Sequence, residues 1–417
     1  MRRYTLRFGT AVAALALLAS GCSAKATSGD GQSGGVKAGP GVTADTISLG
    51  VLTDLTGPIA VLGKPILHGN QLYVDELNTA GGVCGRKVEL VIKDHGYDVQ
   101  KAVSAYTEVE PQTLGAMTLH GSAITAALAD QLTEDKVLTV PTSLASTLLS
   151  NPQLIIPGTT YDLQMITALD HLTKENKLKA GDKVGQIYFE GEAGNNALQG
   201  ARHAAQKLGL TLRATEIKVT DVDLTAQVTA LKSEGAKAIL VSTGPRQVAS
   251  AASVAKSLGY DVPIVTSDPG WHPSVLQTPA APALEANVLV FSSIGPLSAG
   301  TEAAKRLIDA YKAKFPKDEP NAWVNWGYVS AKIYGEVLRK ACADKDLTRD
   351  GLGRAVRGLQ AIDSGGLFPT LDFSKPGRPS SSQVYIGRPS RKAPGGLEVV
   401  KPFFGSDLAA GYQIPKS

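Results

Sequence analysis

Aromatic residues make up only 6% of this 417-residue chain, which has just three Trp, three Met, three Cys and six His. The scarcity of Cys and His weighs against metal chemistry. His68, His95, His120, His171, His203 and His272 are scattered with no pair at ligand spacing, whereas a structural zinc site needs four N or S ligands. No metal and no cofactor is expected, and a lone His is a poor basis for a catalytic assignment. Long apolar runs are also missing. The one near the N-terminus, Ala11 to Leu18, falls far short of the ~20 residues that cross a bilayer. A strong excess of one charge is absent too: the first 21 residues carry three of the 42 basic residues and none of the 38 acidic ones, leaving 39 against 38. The pI of 8.7 therefore carries no message about nucleic acid, and no basic patch interleaved with aromatics is present.

What is there begins with Arg2, Arg3 and Arg7 ahead of the apolar run, followed by Ala19, Ser20, Gly21 and Cys22. This is the layout of a secretion signal. Ala-Ser-Gly-Cys resembles the lipobox of bacterial lipoproteins, although Ala19 stands where Leu is usual. The resemblance implies that Cys22 is acylated and becomes the first residue of a chain exported and anchored by lipid to the outer face of the cytoplasmic membrane. Ser23 to Thr43 is Gly, Ser, Ala, Lys and Thr with almost no large apolar residue, so it is expected to be a disordered tether.

Three catalytic-looking patterns fail on context. Gly29-Asp-Gly31-Gln-Ser-Gly34 and Gly31-Gln-Ser33-Gly-Gly35 lie in that tether, without the preceding strand and following helix that dinucleotide binding or a nucleophile elbow requires. Gly57 to Gly63 with Lys64 has one residue too many for a P-loop and Pro65 where Ser or Thr would bind magnesium.

Beyond the tether, Val/Ile/Leu-rich runs alternate with helical-period segments. Ile47 to Thr53, Lys87 to Lys93, Ala116 to His120 and Val137 to Val140 read as one set of strands; Val184 to Phe189, Thr211 to Lys218, Ala238 to Ser242 and Pro263 to Thr266 read as a second. Alternation of this kind implies parallel sheets. The helix from about Ile66 shows the pattern clearly, with Ile66, Tyr73 and Leu77 on one face, Pro65 at its start and Gly81-Gly82 at its end. Some 400 residues exceed what one core organises, so the expected fold class is α/β with two doubly wound parallel-sheet lobes. Gln383 to Ile386 and Leu397 to Val400 look like a closing ribbon.

Ile47-Ser-Leu-Gly-Val-Leu-Thr-Asp-Leu-Thr-Gly-Pro58, the helix ending Asp75-Glu-Leu-Asn-Thr-Ala-Gly-Gly82, Gly85-Arg-Lys87, and Asp94 with Asp98 closely resemble the type I periplasmic binding proteins of the branched-chain amino acid receptor family. The resemblance runs from about Thr46 to Phe404. It implies two lobes joined by three crossovers, a small amino-acid-like solute clamped between them, and ABC permease and ATPase subunits as partners. The implied division is a signal at 1–21, the tether at 22–43, a first lobe of 44–157 plus about 291–352, and a second of 158–290 plus about 353–417.

A zwitterionic solute needs donors for its carboxylate, an anion for its ammonium and an apolar slot. Ser122 and Thr125, in Gly121-Ser-Ala-Ile-Thr125, sit where a strand gives way to a helix, so a hydroxyl and backbone N–H groups there would hold an anion; Ser122 as a plain N-cap is the alternative. Thr142 and Ser143 open another helix where family members present hydroxyls, or serve simple turn chemistry. Asp268 matches an acidic ligand residue of the amino-acid receptors. Trp271 beside it is either a cleft wall or lobe packing, and Tyr161 near the first crossover is either a ligand contact or structural. The family usually has Tyr or Phe where this chain has Ala193, which implies a larger or differently shaped cleft. Cys84 and Cys342 both fall in the implied first lobe, and export would place them where cysteines are bridged. A ligand-sensing receptor for amides, urea or small carboxylates shares the fold, and doubly wound folds also host extracellular hydrolases, for which the sequence offers no catalytic constellation.

Overall fold

The computed structural model describes residues 31–33 and 35–414; the signal segment and Cys22 lie outside the described residues. Two short strands open the chain, β1 (Gly31–Ser33) and β2 (Val36–Ala38), paired antiparallel. They correct the expected tether from residue 31 onward, its part at 22–30 lying outside the described residues. Val36 is buried in the core, and the Lys37 and Gly39 N–H groups donate to the Lys345 and Leu347 carbonyls at 3.0 and 2.9 Å. Local composition missed this because one apolar side chain suffices when the hydrogen-bonding partner is a strand some 300 residues away in sequence.

The first lobe follows as β3 (Thr46–Thr53), α1 (Ala60–Thr79), β4 (Lys87–Asp94), α2 (Val99–Val109), β5 (Gly115–Leu119), α3 (Ser122–Glu134) and β6 (Thr139–Pro141). Its sheet is parallel throughout, in the order β4-β3-β5-β6. The interior of β3 is buried, which is why its sequence reads as a nearly unbroken apolar run.

The chain then crosses to the second lobe: α4 (Tyr161–Lys174), β7 (Lys183–Phe189), α5 (Glu192–Leu208), β8 (Thr211–Ile217), α6 (Thr225–Ser233), β9 (Ala238–Ser242), α7 (Pro245–Ser257), β10 (Ile264–Thr266), α8 (Ala281–Asn287) and β11 (Val288–Ser292). It returns to the first lobe with α9 (Glu302–Lys314), α10 (Ala322–Ala343), β12 (Asp346–Leu347) and α11 (Arg349–Arg357). A last crossing leads to β13 (Val384–Pro389), β14 (Leu397–Phe404) and α12 (Asp407–Ala410). The second sheet has the order β14-β13-β11-β10-β9-β7-β8, with β13 and β14 antiparallel. Two expected boundaries move. Residue 291 lies inside β11, and residue 353 lies inside α11, which packs on α10 and β12. Both expected crossings fall inside an element that still packs with its own lobe.

The long helices α1 and α10 are in intimate contact, and glycine allows it. A β-carbon on Gly327 would lie 1.9 Å from the Ile66 carbonyl oxygen, and one on Gly69 would lie 2.3 Å from that of Val324. Asn321 caps α10 by accepting the Trp323 N–H at 2.9 Å. A disulfide joins Cys84, in the turn between α1 and β4, to Cys342 at the end of α10, with 5.8 Å between their α-carbons. It bridges a separation of 258 residues and so fastens the returning segment to the start of the lobe. Among the described residues, no helix is long and apolar enough to cross a membrane.

Candidate functional site

In open parallel sheets, ligands bind beyond the carboxyl ends of the strands. Here the ends of two sheets face each other. From the first lobe come Ile59 and Leu62 after β3, Tyr97 after β4, His120 to Ser122 after β5 and Thr142 after β6; from the second come Phe189 at the end of β7, Ser242 to Gly244 at and beyond the end of β9, and Ser267 and Asp268 after β10. The space between them amounts to about 740 Å³ counted out to solvent. Ala193 and Ala197, one turn apart on α5, and Trp323 and Trp326, at the start of α10, complete the walls.

Three of the expected residues converge. Thr142 Oγ1 accepts the Gly121 N–H at 2.9 Å, Tyr161 Oη donates to the Thr142 carbonyl at 3.4 Å, and Ser122 Oγ lies 3.5 Å from Tyr161 Oη. Gly121 makes this possible. Its φ is 111°, and a β-carbon there would meet the Tyr97 ring at 2.6 Å, so α3 can begin directly against the cleft. Burial pushes the Tyr161 hydroxyl pKa up, which keeps it a neutral donor. His120 is held neutral as well, its pKa lowered by burial to about 3, while its Nδ1 accepts the Asp54 N–H at 3.3 Å.

The other expectations fare differently. Thr125 is buried inside α3, donating to the Gly121 carbonyl at 2.8 Å, and Ser143 Oγ accepts the Ala145 N–H at 3.4 Å; neither is among the residues lining the cleft. Trp271 is likewise outside the lining and packs in the core of the second lobe, its carbonyl accepting from Trp323 Nε1 at 3.0 Å.

Asp268 does face the cleft, but its carboxylate is occupied. Gln164 Nε2 donates to Oδ2 at 2.7 Å, the Ser293 N–H and hydroxyl donate at 3.3 and 3.2 Å, and the Ser292 hydroxyl donates to Oδ1. Three of these four donors converge on Oδ2 and one on Oδ1, so Oδ2 is saturated and Oδ1 keeps one acceptor site. Burial nevertheless raises its pKa from 3.8 to about 6. The same cluster gathers the crossings. Gln164 Nε2 also donates to the Thr159 carbonyl at 2.7 Å, and Thr159 Oγ1 donates to the carbonyls of Ser381 and Gln383 at 3.2 and 2.7 Å. Asp268 is thus connected to all three crossings: directly at Ser292 and Ser293, through Gln164 at Thr159, and through Thr159 in turn at Ser381 and Gln383.

Sequence reasoning missed the two tryptophans of Asn321-Ala-Trp-Val-Asn-Trp326, although their i, i+3 spacing behind a helix cap was visible. It also missed Tyr97, Phe189 and Val219, which come from loops and strand ends with no local signature. Among the described residues, the lining contains no Lys or Arg, and Asp268 is its only Asp or Glu.

A family profile described as periplasmic binding protein matches residues 46–394. The solved structure of a fatty acid ABC transporter substrate-binding protein from Thermomonospora curvata is 44% identical, with a TM-score of 0.89 over 91% of this chain and 98% of that one. A branched-chain amino acid ABC transporter protein from Thermus thermophilus, solved with bound valine, has the same fold at 21% identity, with a TM-score of 0.77 over 89% and 98% of the two chains. Among curated relatives, Leu/Ile/Val-binding protein homolog 3 of Brucella melitensis is 29% identical over 46% of this chain and 53% of its own, so the match spans about half its length.

Proposed function

Because the chain belongs to the periplasmic binding protein family, we propose that it is the extracytoplasmic receptor of an ABC importer and that its solute is an aliphatic carboxylate. The observation that carries the solute class is the committed state of Asp268. An ammonium buried in the cleft would need an anion, since an unpaired buried charge is strongly disfavoured; the only carboxylate in the lining already accepts four intramolecular bonds. A carboxylate head fares better. Ser122 and the α3 N-terminus offer a donor and a favourable dipole, and Tyr161 can exchange its long 3.4 Å bond to the Thr142 carbonyl for a stronger one to an anion, while Leu144, Ala193, Ala197 and the two tryptophans offer an apolar bed for a chain. The 44% identical structure named for fatty acids supports the same class.

Titration calorimetry with octanoate and leucine tests this. Octanoate should bind and leucine should not; leucine binding without octanoate binding would overturn the solute class. Hydrogen bonds to a charged group contribute about 1.5–3 kcal/mol, so Tyr161→Phe should weaken octanoate by roughly tenfold or more.

Export and anchoring belong to the same reading. Cys22, after a signal-like segment, is the proposed acylation site, and Cys22→Ala should move the protein from the membrane fraction to the soluble one. A Cys22→Ala protein that still sediments with membranes after a salt wash would exclude the lipid as its anchor.

A further inference from the structure

We propose that the solute's chain does not end in the inner chamber but passes between Ile59 and the Phe189–Val219 pair into an outer pocket at the mouth, which makes the receptor selective for longer aliphatic carboxylates. This rests on the carboxylate reading above. The inner chamber and the outer pocket share Ile59, Phe189, Val219 and Gly244 as lining residues, so they lie against each other with only these residues between them. The outer part by itself spans about 700 Å³ counted out to solvent. Both lobes build it: Gly57, Pro58 and Val61 from the first, Pro245 and Val275 from the second.

Its character matches the far end of a hydrocarbon chain. Val61, on the first turn of α1, is one of only three large apolar side chains exposed among the described residues, at 37%. A methylene chain lying against it would remove that surface from water, which is favourable in proportion to the area covered. The shared wall is firmly held on the second-lobe side. Gln247 Nε2 donates to the carbonyls of Val219 and Asp221, both at 3.0 Å, so the loop carrying Val219 is braced from behind. The polar side chains at the mouth are Arg246, Gln247 and Ser274. Gln247 is spent on that brace, and Arg246 is exposed on the rim. An aliphatic chain threaded outward meets apolar atoms on both sides, with its head group left at Tyr161 and Ser122.

The test is a calorimetric series from butanoate through octanoate to dodecanoate on the full chain and two variants. Each methylene buried should strengthen binding about fourfold, and the gain should persist beyond the length that the inner chamber holds. Val61→Glu sets a charge beside the outer chain, and should weaken dodecanoate by roughly tenfold or more while flattening the gain with length. The fold should survive, because an acidic residue in the first helical turn is favoured by the dipole, and a melting curve checks it. If carboxylates bind but the gain stops at short chains and Val61→Glu changes nothing, the chain ends inside and the inference falls. If Arg246→Ala weakens every acid by tenfold while Tyr161→Phe weakens none, the head group faces the mouth and the inference falls too. If no carboxylate binds at all, the solute class itself is wrong, a result distinct from both.

Discussion

Asp268→Ala is expected to lower folding stability by about 3 kcal/mol, because truncation strands the Gln164 amide and the Ser292 and Ser293 hydroxyls, and each buried donor left unpaired costs roughly 1–3 kcal/mol. Affinity for an aliphatic carboxylate should change little. A residue serving a ligand ammonium would behave oppositely, losing affinity by roughly 30-fold or more with little effect on the apo fold. Chemical denaturation and titration of the same variant separate the two roles.

The titration of Asp268 adds a sharper signature. Its pKa of about 6 in the folded state lies above the 3.8 of the free side chain, so between those values the folded state keeps a proton that the unfolded state has released. The stability that this group contributes is therefore full below pH ~4 and is lost as the pH rises through ~6, a change of about 3 kcal/mol. His120 and His272 oppose it. Burial lowers their pKa values to about 3 and about 4, so the unfolded state binds protons that they do not, and stability rises with pH up to ~6.5. The wild-type curve mixes both signs. The difference between wild type and Asp268→Asn isolates the carboxyl group, and the substitution should be more damaging at pH 4 than at pH 7. A difference that stays constant across that range would remove the protonated carboxyl from the cluster at the crossings.

The sheets were legible because parallel strands buried on both faces are apolar along most of their length, as β3, β5 and β9 are. The head-group end of the cleft was legible for a related reason: Ser122 and Thr142 follow strands directly, so local order alone puts them at the sheet's carboxyl edge. β2 was not legible, since its partner β12 lies at the other end of the first lobe's chain path. Asp268 was found but its partners were not. Nothing in Ser-Asp-Pro-Gly announces that Gln164, 104 residues earlier, and Ser292, 24 later, arrive at its two oxygens. Trp271 and Trp323 show the same limit: both are buried aromatics near the crossings, and only the packing decides that the second faces the cleft while the first fills the lobe.

Ala193→Phe should be the most damaging substitution for the solute itself. Ala193 and Ala197 occupy successive turns of α5 on the face toward the cleft, and their small side chains leave room that a long aliphatic solute would use. The start of α5 cannot withdraw to accommodate a ring, because it is tight against the end of β7: a β-carbon on Gly194 would lie 1.8 Å from the Phe189 carbonyl oxygen. A phenyl group at position 193 must therefore project into the chamber. Overfilling a packed apolar space costs about 1–3 kcal/mol, which corresponds to roughly a 5- to 150-fold loss of dodecanoate affinity. Apo stability should be nearly unchanged, since Ala193 is only half-buried and the ring would occupy open space in the absence of solute. A branched-chain amino acid solute predicts the reverse, because the family's aromatic residue at this place packs on a short side chain; leucine affinity would then hold or rise. Titrating both proteins with dodecanoate and leucine decides between them, and an unchanged dodecanoate affinity in Ala193→Phe would mean that the chain does not run past α5 at all.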